Sequence, residues 1–472
     1  MTTINIFDKI PSRLMTGVMI FFATFFSYML RNAMSINILA MVKPTNLNEN
    51  ENGTITDPPN YGPERLDWSA YQQSLLLGSF FWGYAITPLP SGVLSDKFGG
   101  RRLVGYSFLI SCILEAVTPV ASASFWVSFM VRFLIGFFSG TLYPALHKLV
   151  SKWAPPEEKG KFVSALVGGA IGTVVTWSVA GYLVESVGWD YAFYVPAILS
   201  GCFTIVWFIT TFDDPASHPR ISTEEKEYIE NSLLGVTYTK RWPPLVHVFK
   251  SIPFWALLIL HYGNLWGLYF LMTAAPKYMN EVLGFNLSKS GILASLPYLA
   301  RFFAGFIFGS IGDLIRKKQW FEVTTIRKSF CLFSHIIPGL FLIALPYVNE
   351  RPAVCVAFVT LSLGFNGAGT MTNLQNSQDL APNYAGTVYG IINSIGTTAG
   401  FITPLIVAHY TQERSTIDEW SSVFLIGAIA YIAPAILFII FGSGKIQYWN
   451  DLDLPKTDDH KSEEESSTKR KN

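Results

Sequence analysis

The chain alternates between long apolar stretches and shorter polar segments. A helix that crosses a bilayer needs about 20 mostly apolar residues. Twelve stretches meet this length approximately, at 15–42, 70–94, 103–121, 126–147, 162–185, 191–211, 252–276, 291–312, 329–346, 353–375, 385–410 and 421–442. Gly and Pro recur inside them, as membrane helices tolerate. The pattern predicts an all-α membrane protein with twelve transmembrane helices.

Composition agrees with the hydrophobic pattern. Half of the 472 residues are hydrophobic and only 14% are charged, more apolar surface than a soluble protein of this size could bury. A net charge of +1 leaves no basic excess for a nucleic-acid partner. The four cysteines are scattered through apolar segments without a CxxC pair, which argues against zinc or redox chemistry. The apolar stretch after Leu14 is too long for a signal peptide, so we expect it to remain as the first helix.

Lysines and arginines predict the orientation. The loops after helices 2, 4, 6 and 8 carry 17 of them, whereas the loops after helices 1, 3, 5, 7, 9 and 11 carry six. Because cytoplasmic loops are enriched in Lys and Arg, both termini and the central loop are predicted to lie in the cytosol. The sequon at Asn52 then falls in the first outer loop, where a glycan could be attached.

The spans divide into two sets of six. We expect a cytosolic N-terminus (1–14), a six-helix bundle (15–211), a cytosolic central loop (212–250), a second six-helix bundle (251–444) and a disordered cytosolic tail (445–472). Six plus six helices predict two pseudo-symmetric bundles with a binding site between them near the midplane of the membrane.

A repeated loop supports the pseudo-symmetry. The first copy follows helix 2 and contains Gly92, Asp96, Gly99 and Arg101; the second follows helix 8 and contains Gly309, Asp313 and Arg316. Each copy alone reads as a charged turn at a membrane surface, but two copies at equivalent positions are hard to obtain by accident. They look like the loop motif of major facilitator transporters, which implies that they form a cytosolic gate.

Ionisable residues inside spans are costly to bury and are candidates for function. Three arginines lie deep in spans, Arg31, Arg132 and Arg301, against one carboxylate, Glu115. The excess positive charge favours an anionic ligand, because pairing with an anion lowers the cost of burying a guanidinium. Arg132 lies nearer the outer end and could instead extend to the surface. Glu115 could pair with Arg301 or serve as a proton-responsive group.

Other polar residues in the spans are less specific. His261, near the start of helix 7, is a candidate for binding, whereas His147 at the end of helix 4 is as easily structural. Asn373, Asn376 and Asp379 end helix 10, and Asn393 in helix 11 is a candidate to face the cavity. No paired carboxylates, metal-ligand cluster or nucleophile–base pair indicates an enzyme.

The chain resembles the anion:cation symporters, the family that includes sialin, the vesicular glutamate transporters and the type I sodium–phosphate cotransporters. The strings that carry the resemblance include Leu30-Arg31-Asn32, Gly78-Ser-Phe-Phe-Trp-Gly-Tyr84, Tyr143-Pro-Ala-Leu-His147, His218-Pro-Arg-Ile-Ser222 and Asp379-Leu-Ala-Pro. The chain is most similar to the insect members named as inorganic phosphate cotransporters. The resemblance implies that Arg31 meets the negative group of the substrate and that Tyr28 and Tyr84 line the same cavity. It also implies transport roles for Arg132, His147 and His261.

Two departures from the family concern ion coupling. Proton-coupled relatives carry glutamate in helix 4, where this chain has Ile135 and Ser139, and the bacterial sugar-acid branch has aspartate where this chain has Leu30. A proton-coupled symporter needs a group whose pKa changes between its two facing states. Coupling is therefore expected to use Na⁺, or Glu115 or a histidine such as His147, or to be absent, with Arg301 another candidate for a coupling role.

The resulting hypothesis is a secondary active transporter for a small anion, with inorganic phosphate favoured, that works by alternating access as a monomer. We expect no cofactor beyond the coupling ion, which is Na⁺ or H⁺. The plasma membrane is favoured, with a vesicle or lysosome membrane as the alternative. Two other functions stay open: an organic-anion or acidic amino-acid carrier of vesicles or lysosomes, and a non-transporting receptor on the same fold.

Overall fold

The structure is a computed structural model that describes residues 11–43, 62–155, 158, 162, 165–166, 168–233 and 243–452, without the side chains of Leu89 and Asp96. Ten helices in this part of the chain are long and apolar enough to cross a membrane. We number the twelve spans in chain order: α1 Ser12–Met41, α3 Gly100–Ala121, α4 Phe125–Trp153, α6 Tyr191–Thr210, α7 Ile252–Val282, α8 Leu287–Lys317, α9 Val323–Val348, α10 Pro352–Leu380, α11 Pro382–Thr411 and α12 Ile417–Phe441 are these ten.

The other two predicted spans are also helical. Span α2 consists of Ala70–Ile86 and Pro88–Phe98, and span α5 is Gly168–Ser186. Pro88 explains the break in α2, because proline has no N–H to continue the helical ladder. Several helices extend beyond the predicted apolar stretch at their polar ends, α4 and α8 most clearly. A helix can continue past the hydrocarbon layer, so hydropathy underestimates its length.

Glycines allow close packing within the first bundle. In α5, Gly168 and Gly172 lie one turn apart, and a Cβ on either would come within 2.3 Å of a backbone oxygen of α1. Small residues at this spacing let membrane helices approach closely. In α1, Asn32 Nδ2 donates to Thr173 Oγ1 at 2.7 Å, and Trp177 Nε1 donates to the Asn32 carbonyl at 3.0 Å. The middle of α1 is therefore fixed against α5.

The two bundles are in contact at the predicted outer end of the molecule. A Cβ on Gly181 of α5 would lie 2.7 Å from the Leu287 carbonyl oxygen of α8, and a Cβ on Gly400 of α11 would lie 2.2 Å from the Phe81 ring of α2. At the opposite end, glycines of α2, α8 and α11 have open space where a side chain would project: Gly92, Gly309, Gly386 and Gly390. The bundles are thus closed at the predicted outer end and apart at the predicted cytosolic end.

Substitution of Gly291 is expected to disturb the closed end. Its Cβ would lie 2.3 Å from the Trp177 carbonyl oxygen, a backbone atom that cannot move alone. Gly291→Ala should therefore favour opening at the outer end. The readout is labelling of a Ser35→Cys variant with a membrane-impermeant maleimide, since Ser35 lines the closed outer pocket between the bundles. Labelling should rise severalfold; Gly309→Ala, where a Cβ meets no atom within 4 Å, is the control. Unchanged labelling of folded Gly291→Ala would contradict the expectation.

The central loop contains a short helix, Thr223–Leu233, that packs on the start of α1. Glu225 Oε2 accepts from the Ser12 amide at 2.9 Å, and Glu225 Oε1 accepts from the Arg13 amide at 3.1 Å. Ile229 is fully buried in the first bundle. One carboxylate thus satisfies two of the free amides at the N-terminus of α1, where negative charge is favoured.

Removal of this cap should weaken the first bundle. We expect Glu225→Ala to cost about 1 kcal/mol of stability, as for other helix caps. The measurement is the melting temperature of the purified protein in detergent. The adjacent carboxylate of Glu224 is exposed, so Glu224→Ala is the matched control. Equal melting temperatures for both variants would show that the Glu225 carboxylate does not support α1.

The chain folds back after α12 instead of becoming disordered at 445. Trp449 is fully buried, the Gln447 amide donates to the Leu380 carbonyl at 2.8 Å, and the Asn383 amide donates to Asn450 Oδ1 at 3.1 Å. The prediction of disorder is therefore wrong for 445–452. The composition of the tail is mostly polar, but Trp449 is buried against the second bundle and holds this segment in place. Residues 453–472 and Asn52 lie outside the described residues.

Candidate functional site

The site is centred on Arg31 in the middle of α1. Its guanidinium lies over five aromatic rings, with carbon-to-centroid distances of 4.8 to 5.3 Å. The rings belong to Tyr28 of α1, to Phe80, Phe81 and Tyr84 of α2, and to Tyr269 of α7. Both bundles therefore contribute rings to the cage.

The Arg31 side chain is buried without a counter-ion in this cage. It is 5% exposed, and its Nε and Nη2 have no hydrogen-bond partner among the described atoms. Cation–π contacts offset part of the cost of burying this charge, but they leave N–H donors unsatisfied. An anion placed here would supply the missing acceptors.

Arg132 of α4 is oriented toward the backbone of α1. Its Nη1 donates to the Leu30 carbonyl at 3.0 Å and its Nη2 to the carbonyl of Arg31 itself. Its Nη1 lies 4.0 Å from Glu115 Oε2, and Glu115 is fully buried. The partner of Glu115 is therefore Arg132, which corrects the alternative that it pairs with Arg301. Arg132 holds the α1 segment that carries Arg31 and shares the Phe80 ring with it, at 5.0 Å.

A second polar group lies in the other bundle around His261 of α7. Asn373 Nδ2 donates to His261 Nδ1 at 2.8 Å, and His261 Nε2 lies 3.4 Å from Asn393 Oδ1. These contacts fit a neutral imidazole that is protonated on Nε2. The ring of Tyr389 meets the His261 ring edge-on, with the ring centroids 5.4 Å apart. The structure thus brings His261, Asn373 and Asn393 together.

Arg301 of α8 points to the same bundle interior. Its Nη2 donates to Asn264 Oδ1 at 3.4 Å, and Asn264 Nδ2 is buried without a partner among the described atoms. The membrane-embedded layer therefore contains Arg31, Arg301 and the Arg132–Glu115 pair. Among the described residues named here, the fixed charge of this layer is positive.

The residues of the repeated loop do not meet at one point. Arg101 turns back into its own bundle, where Nη2 donates to the Phe208 carbonyl and the guanidinium lies 4.7 Å from the Phe212 ring. Asp313 and Arg316 are exposed, and the Asp96 side chain is not among those the structure describes. Gly99 has φ of 86°, a conformation that favours glycine, which explains its place in the turn. His147 is exposed at the predicted cytosolic end of α4.

Three cage residues escaped the sequence reasoning: Phe80, Phe81 and Tyr269. Phe80 and Phe81 belong to the family string around Tyr84, but Phe is the usual residue of a lipid-facing or core position. Tyr269 lies between Leu268 and Phe270 in a mostly apolar part of α7. Only the meeting of α1, α2 and α7 distinguishes these rings from ordinary packing.

A helical membrane protein of two six-span bundles, with a buried cation between them, has the architecture of a membrane transporter. The family model of the Major Facilitator Superfamily matches residues 20–404, and the chain belongs to that superfamily. It is a multi-pass membrane transporter and not an enzyme.

Individual relatives confirm the resemblance found in the sequence. Sialin from Homo sapiens is 34% identical over 445 residues, which cover 92% of this chain and 90% of sialin. A "Putative inorganic phosphate cotransporter" from Drosophila ananassae is 34% identical over 466 residues, which cover 95% of this chain and 96% of that protein. Vesicular glutamate transporter 2 from Homo sapiens is 33% identical over 395 residues, which cover 82% of this chain and 67% of that transporter.

Solved structures share the fold at low sequence identity. The crystal structure of a D-xylose–proton symporter has a TM-score of 0.62 and 14% identity, and the match covers 92% of this chain and 98% of the symporter. A bacterial homologue of the human lysosomal transporter Spinster, in an inward-facing and occupied conformation, gives the same TM-score and identity, with coverage of 92% and 96%.

Proposed function

We propose that this transporter moves a small anion, with inorganic phosphate favoured, by alternating access between its two bundles. The observation that carries the proposal is the buried Arg31 guanidinium, which has unsatisfied N–H donors and rings from both bundles around it. A phosphate oxygen would accept from those donors, and guanidinium groups suit such oxyanions well. Cages formed by both bundles can open to either side as the bundles rock.

Cation coupling, with Na⁺ favoured, follows from energetics and from the residues of α4. Moving one negative charge into a negative interior costs about 2.3 kcal/mol per 100 mV, so accumulation of an anion needs a cotransported cation. Ile135 is fully buried and non-ionisable, and Ser139 is equally unable to carry a proton at neutral pH. Glu115, the nearby carboxylate, is paired with Arg132 at 4.0 Å. We favour a monomer in the plasma membrane with both termini in the cytosol.

An organic anion is the second candidate, because the cage is largely aromatic. Phe80 and Phe81 present apolar rings within 5.1 Å of the Arg31 guanidinium carbon. Such rings suit the carbon skeleton of an acidic amino acid or a sugar acid better than a bare phosphate ion. The names of sialin and of the vesicular glutamate transporter among the relatives support this candidate, which would place the protein in a lysosome or vesicle membrane.

Uptake into proteoliposomes discriminates between the candidates. We expect radiolabelled phosphate to accumulate under an inward Na⁺ gradient and to lose this accumulation when choline replaces Na⁺. Unlabelled phosphate should compete, whereas glutamate, sialic acid and monocarboxylates should not. Competition by glutamate or sialic acid, without phosphate flux, would replace phosphate by an organic anion. Binding of an anion without flux under any gradient would instead indicate a receptor.

A further inference from the structure

A cavity of about 540 Å³ opens at the predicted cytosolic surface of the first bundle and shares no lining residue with the Arg31 cage. Four segments form it: the end of α2, the start of α3, the end of α4 and residues 212–217 after α6. Its basic residues are Lys97, Arg101, Arg102, Lys148 and Lys152. This volume falls within the range of small-molecule sites, roughly 300–1,000 Å³.

The two carboxylates of the described lining are already engaged. Asp213 Oδ1 accepts from the Arg101 amide at 2.9 Å. Asp214 Oδ1 accepts from the Ser217 amide at 2.9 Å, and Asp214 Oδ2 lies 3.4 Å from Lys152 Nζ. Burial alone would raise the pKa of Asp214, but the hydrogen bonds from Ser217 and the charge of Lys152 outweigh it and lower that pKa. Among the lining side chains that the structure describes, cations exceed carboxylates.

Arg101 adds a donor without an acceptor. Its Nη2 donates to the Phe208 carbonyl, and its guanidinium lies over Phe212, but its Nε is buried with no hydrogen-bond partner among the described atoms. A buried donor without an acceptor is costly. An oxyanion in the cavity could satisfy it.

The equivalent place in the second bundle is filled. There Arg327, at the start of α9, donates from Nε to Asp379 Oδ2 at 2.7 Å and from Nη2 to Asp379 Oδ1 at 3.1 Å. Gly444, after α12, approaches so closely that a Cβ would lie 2.7 Å from the Thr324 nitrogen. Pseudo-symmetry alone therefore does not explain the cavity of the first bundle.

We propose that this cavity binds a polyanion that carries phosphate monoester groups, either as a phosphoinositide headgroup of the bilayer or as a soluble polyphosphate. Basic pockets at the cytoplasmic ends of membrane helices suit such headgroups, and Lys and Arg side chains supply charge-assisted hydrogen bonds to phosphate oxygens. All four segments belong to one bundle, so the ligand would stabilise that bundle and would not bridge to the other.

The test uses the full chain in lipid nanodiscs. One arm contains phosphatidylinositol 4,5-bisphosphate, one contains phosphatidylglycerol, and a third adds soluble inositol 1,4,5-trisphosphate to nanodiscs that lack phosphoinositide. The cavity variant is Lys97→Gln/Arg102→Gln, because both side chains are exposed at the cavity. The matched control is Lys317→Gln/Lys318→Gln, which removes the same charge at the same predicted membrane face. The readouts are the Kd and the ligand-induced rise in melting temperature, neither of which depends on transport.

We expect the cavity variant to weaken binding about thirtyfold and the control variant to have little effect, from the usual contribution of each basic residue near a membrane surface. If the cavity variant weakens binding only in the phosphatidylinositol 4,5-bisphosphate arm, the ligand is a lipid headgroup. If it weakens binding of the soluble trisphosphate equally, the ligand is a soluble polyanion. Equal loss in both variants, no loss in either, or equal binding of phosphatidylglycerol would overturn the proposal. Binding should persist in Arg31→Ala, which separates this cavity from the transported anion.

Discussion

Arg31→Ala is expected to abolish anion uptake, with a loss of at least about a hundredfold, because removal of one partner of a buried charge pair costs several kcal/mol. The guanidinium is the only cation that five rings from both bundles surround in the described part of the chain. Arg31→Lys keeps the charge but loses the planar fork that can donate twice to one oxyanion, so uptake should remain strongly reduced. Initial uptake rates into proteoliposomes measure both effects.

The stability of Arg31→Ala should not fall along with its transport activity. Because the Arg31 charge has no counter-ion among the described residues, its removal relieves a desolvation cost, and the melting temperature should not fall as it would on loss of a paired charge. Arg220→Ala, at an exposed position of the central loop, is the matched control and should transport normally. Substantial uptake by folded Arg31→Ala would exclude the guanidinium as the anion-binding group, whichever anion is carried.

The twelve spans could be predicted from sequence because their signal is local. Length and hydropathy of one segment decide whether it can cross a bilayer, and no other segment needs to be known. The break in α2 was not predicted, although Pro88 lies inside the predicted stretch at 70–94. Residues 445–452 show where this reasoning stops. Their polar composition predicts disorder, but the Gln447 amide donates to the Leu380 carbonyl, Asn383 Nδ2 donates to the Asn450 carbonyl, and Trp449 is fully buried.

The candidate site was predictable only in part. Arg31 stood out because an arginine in the middle of an apolar span is rare and costly. Tyr269 did not, because a tyrosine in α7 is ordinary until the fold places it beside that charge. The partner of Glu115 was equally open. Arg132 and Arg301 both lie in spans, and only the packing of α3 against α4 brings Arg132 within 4.0 Å.

Arg327 was predicted to lie in the loop before the span at 329–346. In the structure its side chain is buried. A lysine or arginine near the end of a span is usually counted among the basic residues of the cytoplasmic loops. The side chain is nevertheless 1% exposed and forms a two-point ion pair with Asp379, which is 7% exposed. Its Nη1 donates to the Met371 carbonyl at 2.9 Å, in the segment where α10 departs from regular helix. The pair therefore joins the start of α9 to the end of α10.

We expect Arg327→Ala to destabilise the second bundle by about 3–5 kcal/mol, because it leaves the Asp379 carboxylate buried without compensation. Asp379→Ala should be similarly harmful. The double variant should lose less than the sum of the two, since it removes both charges together. Thermal or denaturant unfolding of the purified proteins gives the three values and hence the coupling energy between the side chains.

Arg316→Ala is the matched control, because that arginine is exposed at the end of α8 and should lose less than about 0.5 kcal/mol on removal. Additive losses in the double variant would mean that the contact contributes nothing beyond two separate packing effects. The comparison with Arg31 then tests a single physical distinction. Both arginines are buried, but in the part of the chain that the structure describes Arg327 has a carboxylate partner and Arg31 has none. Arg327→Ala should therefore lower the free energy of unfolding, whereas Arg31→Ala should lower the rate of anion uptake.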